Sequence, residues 1–347
     1  MTRVAILGGG IGAQHLAAYQ RITGFDVVLM VDQDAARRSE VERQGIATAD
    51  HIDAALMDGI DLVDICLPPH LHAPVACQAL EAGKHVICEK PLATSLNDVD
   101  RIAEAASRAG RHVFPVFQYR FGPAFDQLAA LRDAGLTGAP VAAAMETHWS
   151  RGADYYAVPW RGTWDGEQGG AVLGHAIHAH DLMCHWMGAV SRVHATLGTH
   201  VNPIETDDTA ALTFELEGGA LATSSVTLGA ATDETRLRFV FEQLTATSHA
   251  TPYAPGEGQW RFDARDPGQQ AQVDAVVAAT PVAPSGFAGF LTEVAKALAG
   301  APNRALTLAH GAASIVLVTA IYASARSGAP VTLPLSPDHP MRKGWRP

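Results

Sequence analysis

The first thirty-two residues narrow the fold more than any other part of the chain. An apolar run, Val4-Ala5-Ile6-Leu7, breaks into Gly8-Gly9-Gly10-Ile11-Gly12-Ala13, and Leu16, Ala17, Tyr19 and Gln20 continue as a helix. Glycines at a strand-to-helix turn let the backbone come close to a pyrophosphate, whose charge then rests on the helix N-terminus. A second apolar run, Asp26 to Val31, ends in Asp32, twenty residues after Gly12. A carboxylate at that distance can hold both ribose hydroxyls of a dinucleotide, and it repels a 2′-phosphate. NAD is therefore the expected cofactor, with NADP left open by the nearby Arg37 and Arg38, whose plainer reading is a solvated helix face.

The alternation continues. Residues 61–67 read as a strand, 74–82 as a helix with Pro74 in its first turn and Gly83 as its stop, and 85–88 as the next strand. Ser95 caps a helix bearing Leu96, Val99, Ile102 and Ala106 on one side, Gly110 closes it, and 111–117 returns as a strand. Strands and helices of this length in alternation predict an α/β fold, a doubly wound parallel Rossmann sheet over residues 1–120.

After Phe121 the pattern changes. A helix at 123–134 precedes strand-like runs at 140–149, 190–201, 208–216, 220–228 and 235–242, and Glu217-Gly218-Gly219 supplies a hairpin turn that only antiparallel strands can use. Residues 121–347 are thus expected to form an α+β domain on a large, mostly antiparallel open sheet, with helices at 286–299 and 307–327. Thr251 to Gln272 is turn-rich and reads as a surface excursion.

Composition sets the class. The 347 residues are 48% hydrophobic and 18% charged, enough apolar material for two cores, with a formal net charge of −11. No Lys/Arg run occurs, which argues against nucleic acid or an anionic membrane as partner. The apolar runs, such as 315–323, are interrupted by polar residues, and no leader pattern precedes Val4, so a cytoplasmic location is expected. Cys66, Cys77, Cys88 and Cys184 are scattered, as expected of reduced core cysteines rather than a disulfide framework or a zinc site.

One more stretch carries chemistry: His85-Val86-Ile87-Cys88-Glu89-Lys90-Pro91-Leu92, where a buried strand ends in a charged pair. Together with the glycine turn, Asp32, Pro68-Pro69-His70-Leu71-His72, the run from Ala82 to Pro91, and Gly169-Gly170 through His178 to Asp181, it resembles the Gfo/Idh/MocA family of oxidoreductases. The likeness extends to Ile321–Gly328 near the C-terminus. It implies a Rossmann domain followed by an open antiparallel sheet, NAD(P)-dependent redox chemistry on a sugar, cyclitol or related polyol, and association through that sheet into a homodimer or homotetramer. Trp160-Arg161-Gly162-Thr163-Trp164 is similar to the branch holding nucleotide-sugar dehydrogenases and NAD-dependent glycosidases.

By that resemblance, cofactor contacts come from Gly8, Gly10, Ile11, Gly12, Asp32, Pro68, His72, Glu89, Lys90, Gln118, Trp160 and Arg161. Substrate contacts come from Lys90, His178, Asp181, His175, Tyr156 and Arg161. Two departures stand out. Counting back from His15 puts the first fingerprint glycine on Leu7, whereas Gly8-x-Gly10-x-x-Ala13 shifts the histidine. The acid that many members carry four residues before the catalytic histidine is here Gly174.

Oxidising a secondary alcohol needs a base on the hydroxyl while the hydride leaves, and an imidazole with an ordinary pKa of ~6.5 suits that role. His178 is the expected base, and Lys90 the cation that orients the oxygen and stabilises alkoxide charge. The plainer readings stand beside these. The histidines at 175, 178, 180 and 185 could pack or hold zinc, although Asp181 is the only acid near them; no metal is expected. Trp160, Arg161, Tyr155 and Tyr156 could be core, and His72 a polar helix cap. Two other functions fit the same residues: a redox-neutral NAD-dependent glycosidase, and a silent NAD-binding sensor.

Overall fold

A computed structural model describes all 347 residues, and the chain divides into two compact units. The first contains Met1–Phe117, with Phe287–Ile315 returning to it. Its six strands are β1 (Thr2–Leu7), β2 (Phe25–Val31), β3 (Ala47–Ala49), β4 (Leu62–Ile65), β5 (His85–Cys88) and β6 (Val113–Pro115), in the order β3-β2-β1-β4-β5-β6 and all parallel. Helices α1 (Gly12–Tyr19), α2 (Ala35–Glu42), α3 (Pro69–Glu81) and α4 (Leu96–Ala109) connect them. Strands covered on both faces need continuous apolar runs, and Val4 to Leu7 are wholly buried, as are Leu62, Val63 and Ile65. The strand order reverses between β1 and β4, which is where parallel sheets open a crevice at their carboxyl ends. The turns after β1 and β4 and the end of β5 all lie on that edge.

Helix α3 starts at Pro69, a turn earlier than its sequence suggests, so Pro74 lies inside it. Pro69 already provides the favoured first-turn proline, and Pro74 merely removes one intrahelical hydrogen bond further on. Helix α4 follows its sequence closely: the Ser95 hydroxyl accepts from the Asp98 N–H at 3.0 Å, and Gly110 closes the helix at φ 60°.

The second unit contains Gln118–Gly286 and Val316–Pro347. Helix α5 (Pro123–Asp133) leads into β7 (Pro140–Ser150); then come α6 (Ala153–Tyr156), α7 (Ile177–Met187), β8 (Val190–Gly198), β9 (Thr209–Leu216), β10 (Leu221–Thr227), β11 (Gly229–Phe241), β12 (Leu244–Ser248), β13 (Trp260–Ala264) and α8 (Gln270–Ala279). After α9 (Gly286–Leu298) and α10 (Leu308–Ser327), β14 (Val331–Thr332) completes an eight-stranded sheet ordered β13-β12-β11-β7-β10-β9-β8-β14. Only β7 and β10 pair parallel. Alternation places Met145, Leu212, Phe214, Val226, Leu237 and Phe239 in one core with Leu182 and Met183 of α7.

Three expectations need correction. Residues 251–272 are not simply a surface excursion: β13 adds an edge strand there, and Trp260 packs edge-on to Phe125 at 5.2 Å. The interleaved turn residues hide a short strand whose apolar positions are Trp260, Phe262 and Ala264. The partition at residue 120 also misses the return of 287–315 to the first unit. There Phe290, Leu291 and Val294 are fully buried, His15 lies 4.5 Å from the Phe287 ring, and Gly311 brings α10 against Leu92 and Pro115. Such packing pairs residues far apart in sequence, and local periodicity does not report it. Finally, α10 is long and apolar enough to cross a membrane by length and composition, with 61% of its apolar window buried in this fold, where Ile315, Ala320 and Ile321 are core residues. Polar Thr319 and Ser324 interrupt its sequence but are themselves fully buried.

Candidate functional site

The glycine turn settles its own register. Gly8 adopts φ 94°, and a Cβ there would lie 2.5 Å from the Cys66 carbonyl oxygen. Gly12 begins α1 so close to β1 that a Cβ would meet Ile6 at 2.8 Å, whereas a Cβ on Gly10 would face open space. Tight turn, open approach and close helix packing therefore fall to Gly8, Gly10 and Gly12, and Ile11 is the N-cap residue of α1. The turn fits a dinucleotide pyrophosphate: an unobstructed backbone faces the N-terminus of a helix.

Asp32 follows β2 directly. Its carboxylate accepts from the Gly9 N–H at 2.6 Å and the Asp34 N–H at 2.8 Å. Burial would raise its pKa, but those two donors and the Arg37 guanidinium, 3.3 Å away, lower it below the usual carboxylate range. Arg38 donates to the Asp32 carbonyl at 2.7 Å. Both arginines are thus engaged with Asp32, and an ionised acid there suits ribose hydroxyls and opposes a 2′-phosphate.

Lys90 leaves β5 at the same carboxyl edge, half-buried, and its N–H donates to Glu89 Oε2 at 3.0 Å. Glu89 Oε1 meets His15 Nε2 at 3.1 Å, and His15 Nδ1 meets Asp64 Oδ2 at 2.9 Å; Tyr19 also donates to Asp64, at 3.0 Å. Burial would lower the His15 pKa, but Asp64 and then Cys66 raise it well above its ordinary value, so His15 is an imidazolium between two carboxylates. Glu89, which burial alone would raise, is lowered by His15 and Lys90. Glu89, expected at the cofactor, therefore turns its oxygens to His15 and the Lys90 backbone. His72 is likewise enclosed: its ring nitrogens lie 2.6 Å from the Pro91 carbonyl and 2.7 Å from that of Leu67, and burial lowers its pKa. It braces the loops after β4 and β5, with neither nitrogen left for a nicotinamide. Pro68 is the N-cap residue of α3.

In the second unit, the chain before α7 forms a π-helical turn, Val172–Ala176, carrying Gly174 and His175. Such turns widen a helix by one residue and recur at functional sites. His175 Nε2 is 3.2 Å from the Tyr155 hydroxyl, and His178 stacks on Tyr119 with centroids 4.2 Å apart. Asp181 is held by Arg120 in a two-pronged pair, both contacts 2.7 Å, and Arg120 also reaches His185 Nδ1 at 3.3 Å. His180 turns the other way, to the Ser224 hydroxyl at 3.0 Å. The four histidines do not converge on one point.

Arg161 lies 3.9 Å over the Tyr155 ring and 5.3 Å from that of Trp160, and donates to the Tyr155 carbonyl at 3.3 Å. The Tyr156 hydroxyl, Arg161 Nε and Gln118 Oε1 are buried atoms with no hydrogen-bond partner, the condition a bound polar ligand relieves. Two elements of this region are absent from the sequence reading: the Arg120–Asp181 clamp, for which 61 residues of separation leave no local signal, and the buried acid Glu167 in the Gly166–Gly170 loop.

A family model described as the oxidoreductase family with an NAD-binding Rossmann fold matches residues 2–117, and one described as the GFO/IDH/MocA C-terminal domain matches 125–247. The uncharacterized oxidoreductase YrbE of Bacillus subtilis is 30% identical over 226 residues, 62% of this chain and 64% of that protein. Inositol 2-dehydrogenase 3 of Saccharopolyspora erythraea is 38% identical over 149 residues, 41% of this chain and 43% of that one. The chain thus spans less than two thirds of the length of both curated relatives. Over the whole fold, the crystal structure of the WlbA dehydrogenase from Chromobacterium violaceum, in complex with NADH and UDP-GlcNAcA, superposes with a TM-score of 0.85 at 27% identity, covering 96% of each chain.

Proposed function

The chain belongs to the Gfo/Idh/MocA family of oxidoreductases, and from that premise we propose that it is an NAD-dependent dehydrogenase acting on a secondary hydroxyl of a sugar, cyclitol or related polyol. The observation that carries this reading is the carboxyl edge of the first sheet, where the open glycine turn, ionised Asp32 and Lys90 lie together. NAD, when bound, supplies the hydride acceptor. In the direction of alcohol oxidation, the substrate carbon loses its hydride as the hydroxyl oxygen gives its proton to His178. The Lys90 ammonium orients that oxygen and stabilises its developing negative charge. With NAD bound, the two electrons would leave with the hydride and the proton through the imidazole. Tyr156, Gln118 and Arg161 offer the unsatisfied polar atoms that a hydroxyl-rich ligand would meet. Exposed Leu221 on β10 supports self-association through the outward face of the second sheet.

The test is turnover of NAD, and separately NADP, against aldoses, inositols, anhydrosugars, glycosides and nucleotide-sugar acids, read by reduced-cofactor absorbance. NADH is expected with one class of polyol, and Lys90→Met is expected to lower kcat by about 10²–10⁴-fold while cofactor affinity persists. Retained cofactor with no reduced product from any polyol overturns the reading. Glycoside cleavage without accumulated NADH identifies the redox-neutral glycosidase instead.

A further inference from the structure

Position 174 is where the helix leading to His178 would present an acid one turn earlier, and Gly174 has no side chain to present. The space is not empty of charge. A Cβ built on Gly174 would lie 3.2 Å from Glu167 Oε1, so a carboxylate already stands where a side chain at 174 would begin. Glu167 is 5% exposed and fixed from two sides: its Oε2 accepts the Gly162 N–H at 2.6 Å, and its own N–H donates to the Thr163 carbonyl at 3.1 Å. Gly174 adjoins His175 and precedes His178 by four residues, the spacing of neighbours on one helix face, within the turn that widens at 172–176.

We infer that Glu167, carried on the loop before the histidine helix, replaces the missing helix acid and positions the His175 and His178 imidazoles for proton transfer. Glu167 touches neither substrate nor cofactor in this assignment; it acts through the histidines. The inference rests on the dehydrogenase reading for its catalytic meaning, but the electrostatic part stands without it.

Trp149 lies edge-on to His175 at 5.3 Å, and Asp208 and Tyr253 also act on the tyrosines beside it, raising Tyr156 and Tyr155 respectively. Tyr155 and Tyr156 of α6 feel Glu167; burial first and then this carboxylate push Tyr155 up to about 12 and raise Tyr156 as well. Tyr322 of α10 feels it more weakly, behind Asp207. Arg161 and Arg151 act on Tyr155 in the opposite sense. On the far side, Tyr119 covers His178, and Asp181 is already matched by Arg120. With Asp181 so matched, Glu167 is the carboxylate that stands against the turn carrying His175.

The deciding measurement is the pKa of His175 and His178 by NMR titration of histidine-labelled, NAD-loaded full-length protein. His175→Gln and His178→Asn identify the two signals. Glu167→Gln keeps the shape and an acceptor for Gly162, and is expected to lower at least one of the two imidazole pKa values by about one unit. Where turnover is measurable, the acid limb of kcat/KM should move to lower pH by the same amount, with kcat falling more than KM rises. Glu167→Ala combined with Gly174→Asp returns a carboxylate to the helix and is expected to restore both readouts. Unchanged imidazole pKa values in Glu167→Gln overturn the inference, as does a double variant that stays at the Glu167→Gln values. A wild-type protein that reduces no cofactor defeats the dehydrogenase reading alone, because the titration still decides what Glu167 does.

Discussion

The two units each bury histidines beside carboxylates and arrange them in opposite ways. In the first, Asp64 and Glu89 close on both nitrogens of His15, 2.9 and 3.1 Å away, and the three side chains are buried. In the second, Arg120 pairs with Asp181, and the imidazoles of His175 and His178 lie against the rings of Tyr155 and Tyr119. A closed network fixes a backbone, here the Lys90 loop through Glu89. The same residue types thus build a closed charge cluster in one unit and imidazoles set against aromatic rings in the other.

If that contrast is right, substitutions should divide accordingly, and the largest effect belongs to His15. Removing it leaves two buried carboxylates without their cation, a loss of about 3–5 kcal/mol of folding stability for His15→Leu. His178→Asn should remove activity at little cost in stability, since groups retained for chemistry are seldom retained for the fold. Urea unfolding of both variants checks this. Equal losses would dissolve the distinction.

Acid titration gives the next effect, and its sign differs between the buried histidines His15 and His180. His15 has a raised pKa, so its contribution is full below the unfolded value near 6.5 and is lost only as pH rises through the higher folded value. Glu89 is lowered, and its contribution is lost as pH falls through its folded value. His180, by contrast, is lowered to about 4 by burial alone, so the unfolded chain binds the extra proton between the two values and stability falls with falling pH. That one group should cost about 3 kcal/mol between pH 6.5 and pH 4. His180→Gln keeps a partner for Ser224 but cannot titrate, and its unfolding free energy should decline less steeply over the same interval. A slope equal to that of the wild type would assign the acid sensitivity elsewhere.

What the sequence shows of all this follows the range of the forces involved. The glycine turn, Asp32, the Ser95 cap and the strand ending at Lys90 are local patterns, and each lies where its neighbours in sequence put it. The partners of Glu89 and His72 leave no local signal, because His15 and the Pro91 carbonyl lie 74 and 19 residues away. The return of α9 to the first unit is likewise long-range, whereas Glu167 precedes Gly174 by seven residues and is set against it by the fold of the intervening loop. An absent side chain at 174 reads as a missing acid until the fold shows which residue stands against it.

The smallest expected effect tests the contrast most directly, by making one centre resemble the other. Arg120 engages Asp181 through two hydrogen bonds while its third nitrogen faces His185. Arg120→Met removes the cation and leaves the Asp181 carboxylate buried, three residues after His178 and four before His185. The cost in stability should be about 1–3 kcal/mol, the penalty for an unsatisfied buried group. The released carboxylate should then act on the neighbouring imidazoles as Asp64 acts on His15, raising the pKa of His185, His178 or both, because an opposite charge within a few ångströms favours the protonated form. A base that holds its proton more tightly is protonated over more of the neutral range, so the acid limb of the activity profile should move to higher pH. Histidine titration by NMR resolves the shift independently of turnover. Imidazole pKa values that stay where they are in Arg120→Met would mean that Asp181 does not govern these histidines even when released, and that the separation between the two centres does not depend on the arginine.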